Sequence, residues 1–270
     1  MIDRLYNIEK NKYITYNQCL STQKNTPSVL FLHGLMSDMN GKKSQFLEKY
    51  CKSLNYNYIT FDNFGHGKSS GNFIEETIGS WLEGVEMVLN ALVPQPTVIV
   101  GSSMGAWLAI LAARNWPSKV KAIVCIAAAV DFTEEVIWNK LPESHKKQME
   151  QQQWLEIAGD CNNVFPISYR LIIEARKYLL LNNNNINLEM PVHLIHGVLD
   201  TEVPYVLSHQ IMAKIISKAV VMKLIKDGNH QLSRETDLAV IANSIEEVLS
   251  YEDSGNILVV NEEVVVESQL

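Results

Sequence analysis

Short runs of β-branched and other apolar residues alternate with amphipathic helical stretches along most of this chain. Apolar strands separated by helices are typical of a parallel sheet whose two faces are both covered. The pattern predicts strands at residues 28–32, 58–61, 97–100, 120–129, 191–195 and 220–224. The sequence therefore predicts an α/β fold with a mostly parallel central sheet and helices on both faces.

One long segment, from Phe132 to Leu188, breaks this alternation. It is rich in Gln, Glu and Asn, and it has helical stretches around Trp138 and Leu171 but no clear strand. Loops of this length without secondary structure are rare in compact domains. Residues 132–188 are therefore predicted to form a helical lid insertion.

The remaining segments form the predicted core and the two ends of the chain. Residues 1–131 and 189–254 are expected to build the core around the sheet. Apolar residues at 2–8 and 13–16 suggest an antiparallel hairpin at the sheet edge. The tail, 255–270, is apolar and β-branched, and its pattern leaves open an extra edge strand or a disordered end.

Composition and charge narrow the class of function. With 270 residues, 47% of them hydrophobic, the chain can bury one large core. The formal net charge is −7 and the 23 basic residues are scattered, so no nucleic-acid partner is expected. The first residues lack a signal-peptide pattern, and no apolar run is long enough to span a bilayer. We expect a cytoplasmic domain with no integral membrane segment, and the oligomeric state stays open.

The cysteines suggest neither a disulfide framework nor a zinc site. They are far apart and include no Cys-x-x-Cys pair, which metal sites commonly use. We expect reduced packing residues at Cys19, Cys51, Cys125 and Cys161.

Ser103 is the candidate nucleophile, at the centre of the Gly-x-Ser-x-Gly pentapeptide Gly101–Gly105. A predicted strand precedes the pentapeptide and a predicted helix follows it. A sharp turn between the two needs small residues where backbone packs on backbone, and it exposes the serine hydroxyl beside a helix N-terminus. The alternative, a surface serine in a Gly-rich turn, is weaker in this context.

A serine hydroxyl needs an imidazole base, and the imidazole needs a carboxylate to orient it. His230 lies in a polar turn after the last strong strand, and Asp200 lies at the end of the strand before it. Both follow the serine in chain order, so they complete a predicted Ser-His-Asp triad. The competing carboxylates are Glu202, Asp131 and Asp227, of which Asp131 is the strongest alternative.

Two backbone amides are expected to form an oxyanion hole for the substrate's carbonyl oxygen. Met104 follows the nucleophile at the helix start, and Leu35 follows Gly34 in the loop after the first central strand. Aromatic and methionine side chains near the nucleophile suggest an apolar acyl pocket, and those predicted to line it are Met36, Met39, Phe64 and Trp107.

The other histidines do not predict a metal site. His33 is expected to pack in its loop or to hydrogen-bond it. His66 lies in a Gly-rich turn with no second ligand at metal spacing. His193 and His196 are separated by three positions in a strand and point to opposite faces.

These residues resemble the α/β-hydrolase superfamily, with the pentapeptide, Asp200, His230, His33-Gly34 and the turn at 61–69 as the matching motifs. More narrowly, residues 39–41, 51–54, 101–107 and 194–197 are similar to mitochondrial acyl-glucuronide esterases and palmitoyl-protein thioesterases of the abhydrolase-domain group. The resemblance implies an α/β-hydrolase fold and hydrolysis of acyl esters or thioesters, without a cofactor.

The sequence thus favours a serine hydrolase acting on a small-molecule or acylated substrate with an apolar acyl group. A serine aminopeptidase of the same fold is the first alternative, because Glu150, Glu156 or Glu174 in the lid could hold a substrate amine. A ligand-binding protein without catalytic activity is the second, since this fold also supports receptors.

Overall fold

A computed structural model describes residues 3–93, 96–158 and 164–251. The strands within these ranges are β1 (Asp3–Asn7), β2 (Lys12–Cys19), β3 (Ser28–Leu32), β4 (Asn57–Phe61), β5 (Thr97–Ser102), β6 (Val120–Ile126), β7 (Trp154–Ala158), β8 (Val164–Ser168), β9 (Val192–Gly197) and β10 (Val220–Ile225). The α-helices are α1 (Lys42–Ser53), α2 (Ile78–Ala91), α3 (Met104–Asn115), α4 (Glu143–Gln152), α5 (Tyr169–Ala175), α6 (Val206–Lys214) and α7 (Glu235–Leu249). The predicted tail at 255–270 and Cys161 lie outside the described residues.

Eight strands form one sheet, in the order β1-β2-β4-β3-β5-β6-β9-β10. The hairpin β1–β2 and the pair β2–β4 are antiparallel, whereas every neighbouring pair from β4 to β10 is parallel. The sheet is therefore mostly parallel, with the predicted antiparallel hairpin at one edge. Each central strand is a continuous apolar run because both of its faces are covered.

Alternate residues of the strands build two separate cores. In β3, Leu30 and Leu32 pack on one face with α2, α3 and α6, while Val29 and Phe31 pack on the other face with α1 and α7. This alternation follows from the two-residue period of a strand. Helices cover both faces, as the sequence predicts.

The insertion at 132–188 contains strands as well as helices, which corrects the expectation of a purely helical segment. Strands β7 and β8 pair antiparallel, with Leu155 opposite Ile167 and Ile157 opposite Phe165. The strands have five residues each, and the apolar alternation is interrupted by Pro166, which cannot donate to a ladder. The signal for a strand was therefore weak. Helices α4 and α5 flank this hairpin.

None of the helices in the described part of the chain combines the length and apolarity needed to cross a bilayer. The carboxyl ends of the parallel strands lie along one edge of the sheet, and the loops after β3, β5, β9 and β10 emerge there. Ligand sites of open α/β sheets form at this edge.

Candidate active site

Ser103 occupies a strained turn between β5 and α3. Its backbone has φ 55° and ψ −118°, a conformation that costs free energy for a residue with a Cβ. Neighbouring glycines allow the turn to form. A Cβ on Gly101 would lie 2.3 Å from the carbonyl oxygen of Gly105, and a Cβ on Gly105 would lie 2.3 Å from that of Leu32. The two glycines therefore let the turn pack directly against backbone.

His230 lies within hydrogen-bond distance of both other predicted triad residues. Its Nε2 is 3.1 Å from Ser103 Oγ, and its Nδ1 is 2.8 Å from Asp200 Oδ2. An ionised carboxylate only accepts, so Nδ1 carries the hydrogen and Nε2 is free to accept from the serine hydroxyl. This arrangement can draw a proton from the serine.

Asp200 is fixed by donors on several sides. Its Oδ1 accepts from the amides of Glu202 (3.0 Å) and Val203 (2.8 Å), and its Oδ2 lies 3.0 Å from His196 Nε2. Burial alone would raise the pKa of Asp200, but hydrogen bonds from His196 and His230, aided by the charge of His230, hold that pKa well below its usual value. The carboxylate is thus ionised whenever His230 can act as a base.

His196 is a residue of this site that the sequence interpretation missed. Its ring is fully buried in β9, its Nε2 also lies 2.9 Å from the carbonyl oxygen of Val203, and its Nδ1 lies 2.7 Å from Ser208 Oγ. Since both neighbours of Nε2 are acceptors, this nitrogen carries the hydrogen. The signal available in the sequence was the position of His196 four residues before Asp200.

The loop between β10 and α7, residues 226–234, carries His230 and is here called the His230 loop. Close backbone packing and hydrogen bonds hold it in place. The amide of Leu199 donates to the carbonyl oxygen of Gly228 at 2.9 Å. A Cβ on Gly197 would lie 2.3 Å from that same oxygen, so only glycine allows the approach. From α1, Lys43 Nζ donates to the carbonyl oxygen of Gln231 at 2.5 Å. Burial lowers the pKa of Lys43 to about 8.

The competing carboxylates occupy other positions. Asp131 accepts from the amides of Leu180 and Leu181, at distances between 2.7 and 3.0 Å. Asp227 pairs with Arg234 at 2.6 Å. Glu202 lies nearer the triad, with its Oε2 3.8 Å from His230 Nε2, on the side opposite the nitrogen that contacts Asp200.

The two predicted oxyanion residues face the same cavity as Ser103. The amide of Met104 is at the first position of α3, where a helix supplies no carbonyl acceptor for it. Leu35 follows Gly34, whose backbone packs on Ser103: a Cβ there would lie 3.2 Å from Ser103 Cβ. Both amides are therefore candidates for binding a developing negative charge.

A cavity of about 690 Å³ opens at Ser103 and His230. The insertion contributes apolar side chains to its lining, namely Phe132, Val136, Ile137, Ile157, Phe165 and Ile167. Its polar lining comes from several elements and includes Lys42 and Lys43 of α1, Lys140 of the insertion, Glu202 after β9, and Gln231 and Ser233 after β10. The cavity therefore offers both apolar and polar contacts to a ligand.

The structure corrects most of the predicted pocket. Met36 lines the cavity and is 46% exposed, but Met39, Phe64 and Trp107 are buried and do not line it. Their side chains point into the protein interior, where they are almost completely buried, so an apolar residue in a segment near Ser103 need not face the cavity. Trp107 contacts the cavity only indirectly, since its ring packs edge-on against Phe132 at 5.8 Å between centroids.

The acidic residues proposed for an aminopeptidase are also absent from the described cavity lining. Glu150 and Glu156 are exposed. Glu174 accepts from the amide of Gly79 at 3.2 Å instead. The residues that suggested a binding site for a substrate amine therefore do not lie at the cavity.

Comparison with known proteins finds relatives whose sequences match most of the chain. The family model described as "alpha/beta hydrolase fold" matches residues 27–155. A protein of Bos taurus named mitochondrial palmitoyl-protein thioesterase ABHD10 is 35% identical over 226 residues, which cover 83% of this chain and 73% of that protein.

Comparison with solved structures also finds proteins of similar fold. Mouse alpha/beta hydrolase domain-containing protein 10 superposes with a TM-score of 0.85 and 32% identity, covering 92% of this chain and 98% of the mouse chain. Est1E of Butyrivibrio proteoclasticus, with ferulic acid bound, reaches a TM-score of 0.73 at 16% identity over 88% of this chain and 95% of its own, a likeness of fold alone.

Proposed function

The chain belongs to the α/β-hydrolase family, and from this premise we propose that it is a serine hydrolase cleaving carboxylic esters or thioesters of apolar acyl groups. The family resemblance, the fold and the hydrolase class expected from the sequence are confirmed by these relatives. The proposal adds the residues that act, the bond that is cleaved and the acyl group.

The observation that carries the proposal is the hydrogen-bonded series Ser103, His230, Asp200. In the first step, Ser103 Oγ attacks the carbonyl carbon while His230 Nε2 takes the hydroxyl proton. Asp200 stabilises the imidazolium that forms. The bond from the carbonyl carbon to the leaving oxygen or sulfur then breaks, the leaving group takes the proton from His230, and an acyl-serine ester remains.

In the second step, water releases the acyl group. His230 accepts a proton from the water as its oxygen attacks the acyl carbon, and it returns this proton to Ser103 Oγ when the acyl-serine bond breaks. The products are a carboxylic acid and free enzyme. In both steps the carbonyl oxygen becomes negative, and the amides of Leu35 and Met104 are the proposed donors to it.

The cavity supports an apolar acyl group. Residues 132–188 act as a lid in this proposal, and their apolar side chains Phe132, Ile157 and Phe165 would contact the acyl chain. Lys43 and Gln231, polar residues of the lining outside the insertion, would then face the leaving group. Relatives named palmitoyl-protein thioesterase support an acyl thioester, from a protein or a small molecule, as one substrate class. The cytoplasmic location stays a prediction.

A fluorophosphonate probe tests the nucleophile. We expect the wild-type protein to be labelled and Ser103→Ala to be unlabelled, while hydrolysis of p-nitrophenyl esters falls by at least roughly 1,000-fold in Ser103→Ala. The matched control is Ser250→Ala, at the end of α7 and away from the cavity, which should label and hydrolyse like the wild type.

The same assay separates the alternatives. Folded wild-type protein that never labels would contradict the proposal and favour a ligand-binding protein. Labelled protein that cleaves peptide anilides faster than esters or thioesters would favour an aminopeptidase.

A further inference from the structure

Two buried histidines join the loop that carries Leu35 to the turn beside it. We call residues 33–39 the oxyanion loop and residues 62–69 the adjacent turn. His33 Nε2, in the oxyanion loop, lies 3.1 Å from the amide nitrogen of Asn63. His66 Nε2, in the adjacent turn, lies 3.3 Å from the amide nitrogen of Met36. Each histidine therefore reaches from its own segment to the backbone of the other.

These contacts determine which nitrogen of each ring carries the hydrogen. A backbone N–H only donates, so both Nε2 atoms accept and both Nδ1 atoms carry a hydrogen. Consistent with this, the Nδ1 of His33 lies 2.8 Å from the carbonyl oxygen of Gly34, and that of His66 lies 3.2 Å from the carbonyl oxygen of Phe64. Each ring makes both of its contacts only when it is neutral.

A third link completes the attachment of the oxyanion loop. Asp62, at the start of the adjacent turn, accepts from the amide of Met39 at 2.8 Å and from the amide of Lys68 at 2.8 Å. The loop is thus hydrogen-bonded to the turn near its beginning, middle and end.

We propose that His33 and His66 are positioning residues that align the amide of Leu35 with the substrate oxygen that becomes negative. Leu35 lies between Gly34, whose carbonyl accepts from His33, and Met36, whose amide donates to His66. Fixing both neighbours restricts the peptide that Leu35 contributes. The inference rests on the proposed function, because an oxyanion forms only when Ser103 attacks a carbonyl.

Burial supports this role. His33 is 1% exposed and His66 is 5% exposed, and their ring centroids are 5.0 Å apart. His66 also packs against Phe73 and Trp81. Burial lowers the pKa of His33 and of His66 to about 4. Both rings are therefore neutral at neutral pH, the form that their contacts require.

The test removes the acceptor of His66 while keeping a ring in its place. His66→Phe retains the aromatic packing but cannot accept from Met36, whereas His66→Gln supplies a carbonyl oxygen that can. We expect His66→Phe to lower kcat on p-nitrophenyl butyrate by about 10- to 100-fold with KM changed less than about twofold, and His66→Gln to recover most of this loss. The rate of fluorophosphonate labelling should fall in parallel, because the phosphonyl oxygen uses the same amides.

The matched control is His209→Leu, an exposed histidine on α6, which should behave like the wild type. Wild-type kcat in folded His66→Phe, or equal slowing in His66→Phe and His66→Gln, would overturn the inference. If circular dichroism shows that His66→Phe does not fold, the pair His33→Leu and His33→Gln decides by the same criteria. Wild-type protein that neither labels nor turns over would instead overturn the proposed function, and the inference with it.

Discussion

One carboxylate oxygen of Asp200 lies within hydrogen-bond distance of two imidazoles, those of His196 and His230. His196 cannot move away, because it is fully buried and its other nitrogen contacts Ser208. The oxygen that orients His230 is thus itself oriented by a residue inside β9. A carboxylate held in this way keeps the imidazole in the tautomer that general-base catalysis needs.

Replacing His196 by leucine removes this donor without removing the carboxylate. A hydrogen bond to a charged group contributes about 1.5–3 kcal/mol, so we expect kcat on a p-nitrophenyl ester to fall by roughly 10- to 150-fold. The control is Ser208→Ala, which leaves the contact between His196 and Asp200 in place and should cost less activity. Unchanged kcat in a folded His196→Leu protein would show that the amides of Glu202 and Val203 are sufficient.

At the residue scale, residue type and chain order predicted Ser103, Asp200 and His230, which lie in the segments that follow β5, β9 and β10. The structure brings the three side chains within hydrogen-bond distance of one another in series. His196 was missed although it precedes Asp200 by four positions, because a histidine inside an apolar strand has the same appearance whether it packs or donates. The pocket prediction failed for Met39, Phe64 and Trp107, since side-chain direction in turns and buried helices depends on tertiary packing.

Among the elements, the strands of the core were predicted with small errors at their ends, whereas the hairpin β7–β8 was missed. The core strands are continuous apolar runs, a strong signal. In the hairpin, Glu156 lies opposite Pro166 at the centre of the pairing, and both residues are unfavourable in strands. Leu155 and Ile167 of the hairpin pack in the core, a long-range contact that local sequence does not reveal.

The hairpin gives a prediction about acyl chain length. Phe165 lines the cavity, so Phe165→Ala should remove apolar contact from long acyl chains only. Burying a phenylalanine is worth about 1.5–3 kcal/mol, which corresponds to a fall of roughly 10- to 150-fold in kcat/KM for a palmitoyl ester. Acetyl esters should be unaffected. Trp154→Ala is the control, because Trp154 is 44% exposed on the same hairpin and does not line the cavity. Equal losses for both chain lengths would contradict acyl binding at the hairpin.

Asp131 connects the two ends of the insertion, since it precedes residue 132 and accepts from the amides of Leu180 and Leu181. Burial raises the pKa of Asp131 to about 6, despite the opposing effect of these amides. A carboxyl whose pKa is higher in the folded state contributes stability that is complete below its unfolded pKa and is lost as pH rises through the folded value.

The variant Asp131→Asn tests this linkage. Between about pH 4 and pH 7, the wild type should lose the contribution of Asp131, and the variant should not. The free energy of unfolding of the variant minus that of the wild type should therefore rise by roughly 3 kcal/mol over this range. Urea denaturation at several pH values measures the difference, and the exposed Glu9→Gln serves as control. Curves for wild type and Asp131→Asn that stay parallel would mean that Asp131 has an ordinary pKa.

On the scale of the whole molecule, the site depends on strand order. Ser103 follows β5, Asp200 follows β9 and His230 follows β10, and parallel pairing places all three ends at one edge of the sheet. The sequence could predict a parallel sheet because apolar strands alternate with helices. It could not predict the strand order, which depends on long-range pairing and on backbone contacts such as that of Gly197 with Gly228.

The pH dependence of global stability combines contributions of opposite sign from these separate sites. The pKa of His33 and of His66 is lowered to about 4 in the folded state, so the unfolded chain binds more protons below about pH 6.5. Each histidine then contributes stability that is complete above the unfolded pKa and is lost as pH falls toward 4, by roughly 3 kcal/mol. Asp131 acts in the opposite direction over much of the same range.

Because two buried histidines oppose one buried carboxyl, we expect the free energy of unfolding to fall on acidification from about pH 6.5 to pH 4.5. His66→Gln should lose less stability over this range than the wild type, and Asp131→Asn should lose more, since the compensating carboxyl is gone. Urea denaturation of the three proteins at both pH values gives the comparison. A wild-type protein more stable at the lower pH would require at least one of these histidines to be protonated in the folded state, and the Nε2 of that histidine could then no longer accept from a backbone amide.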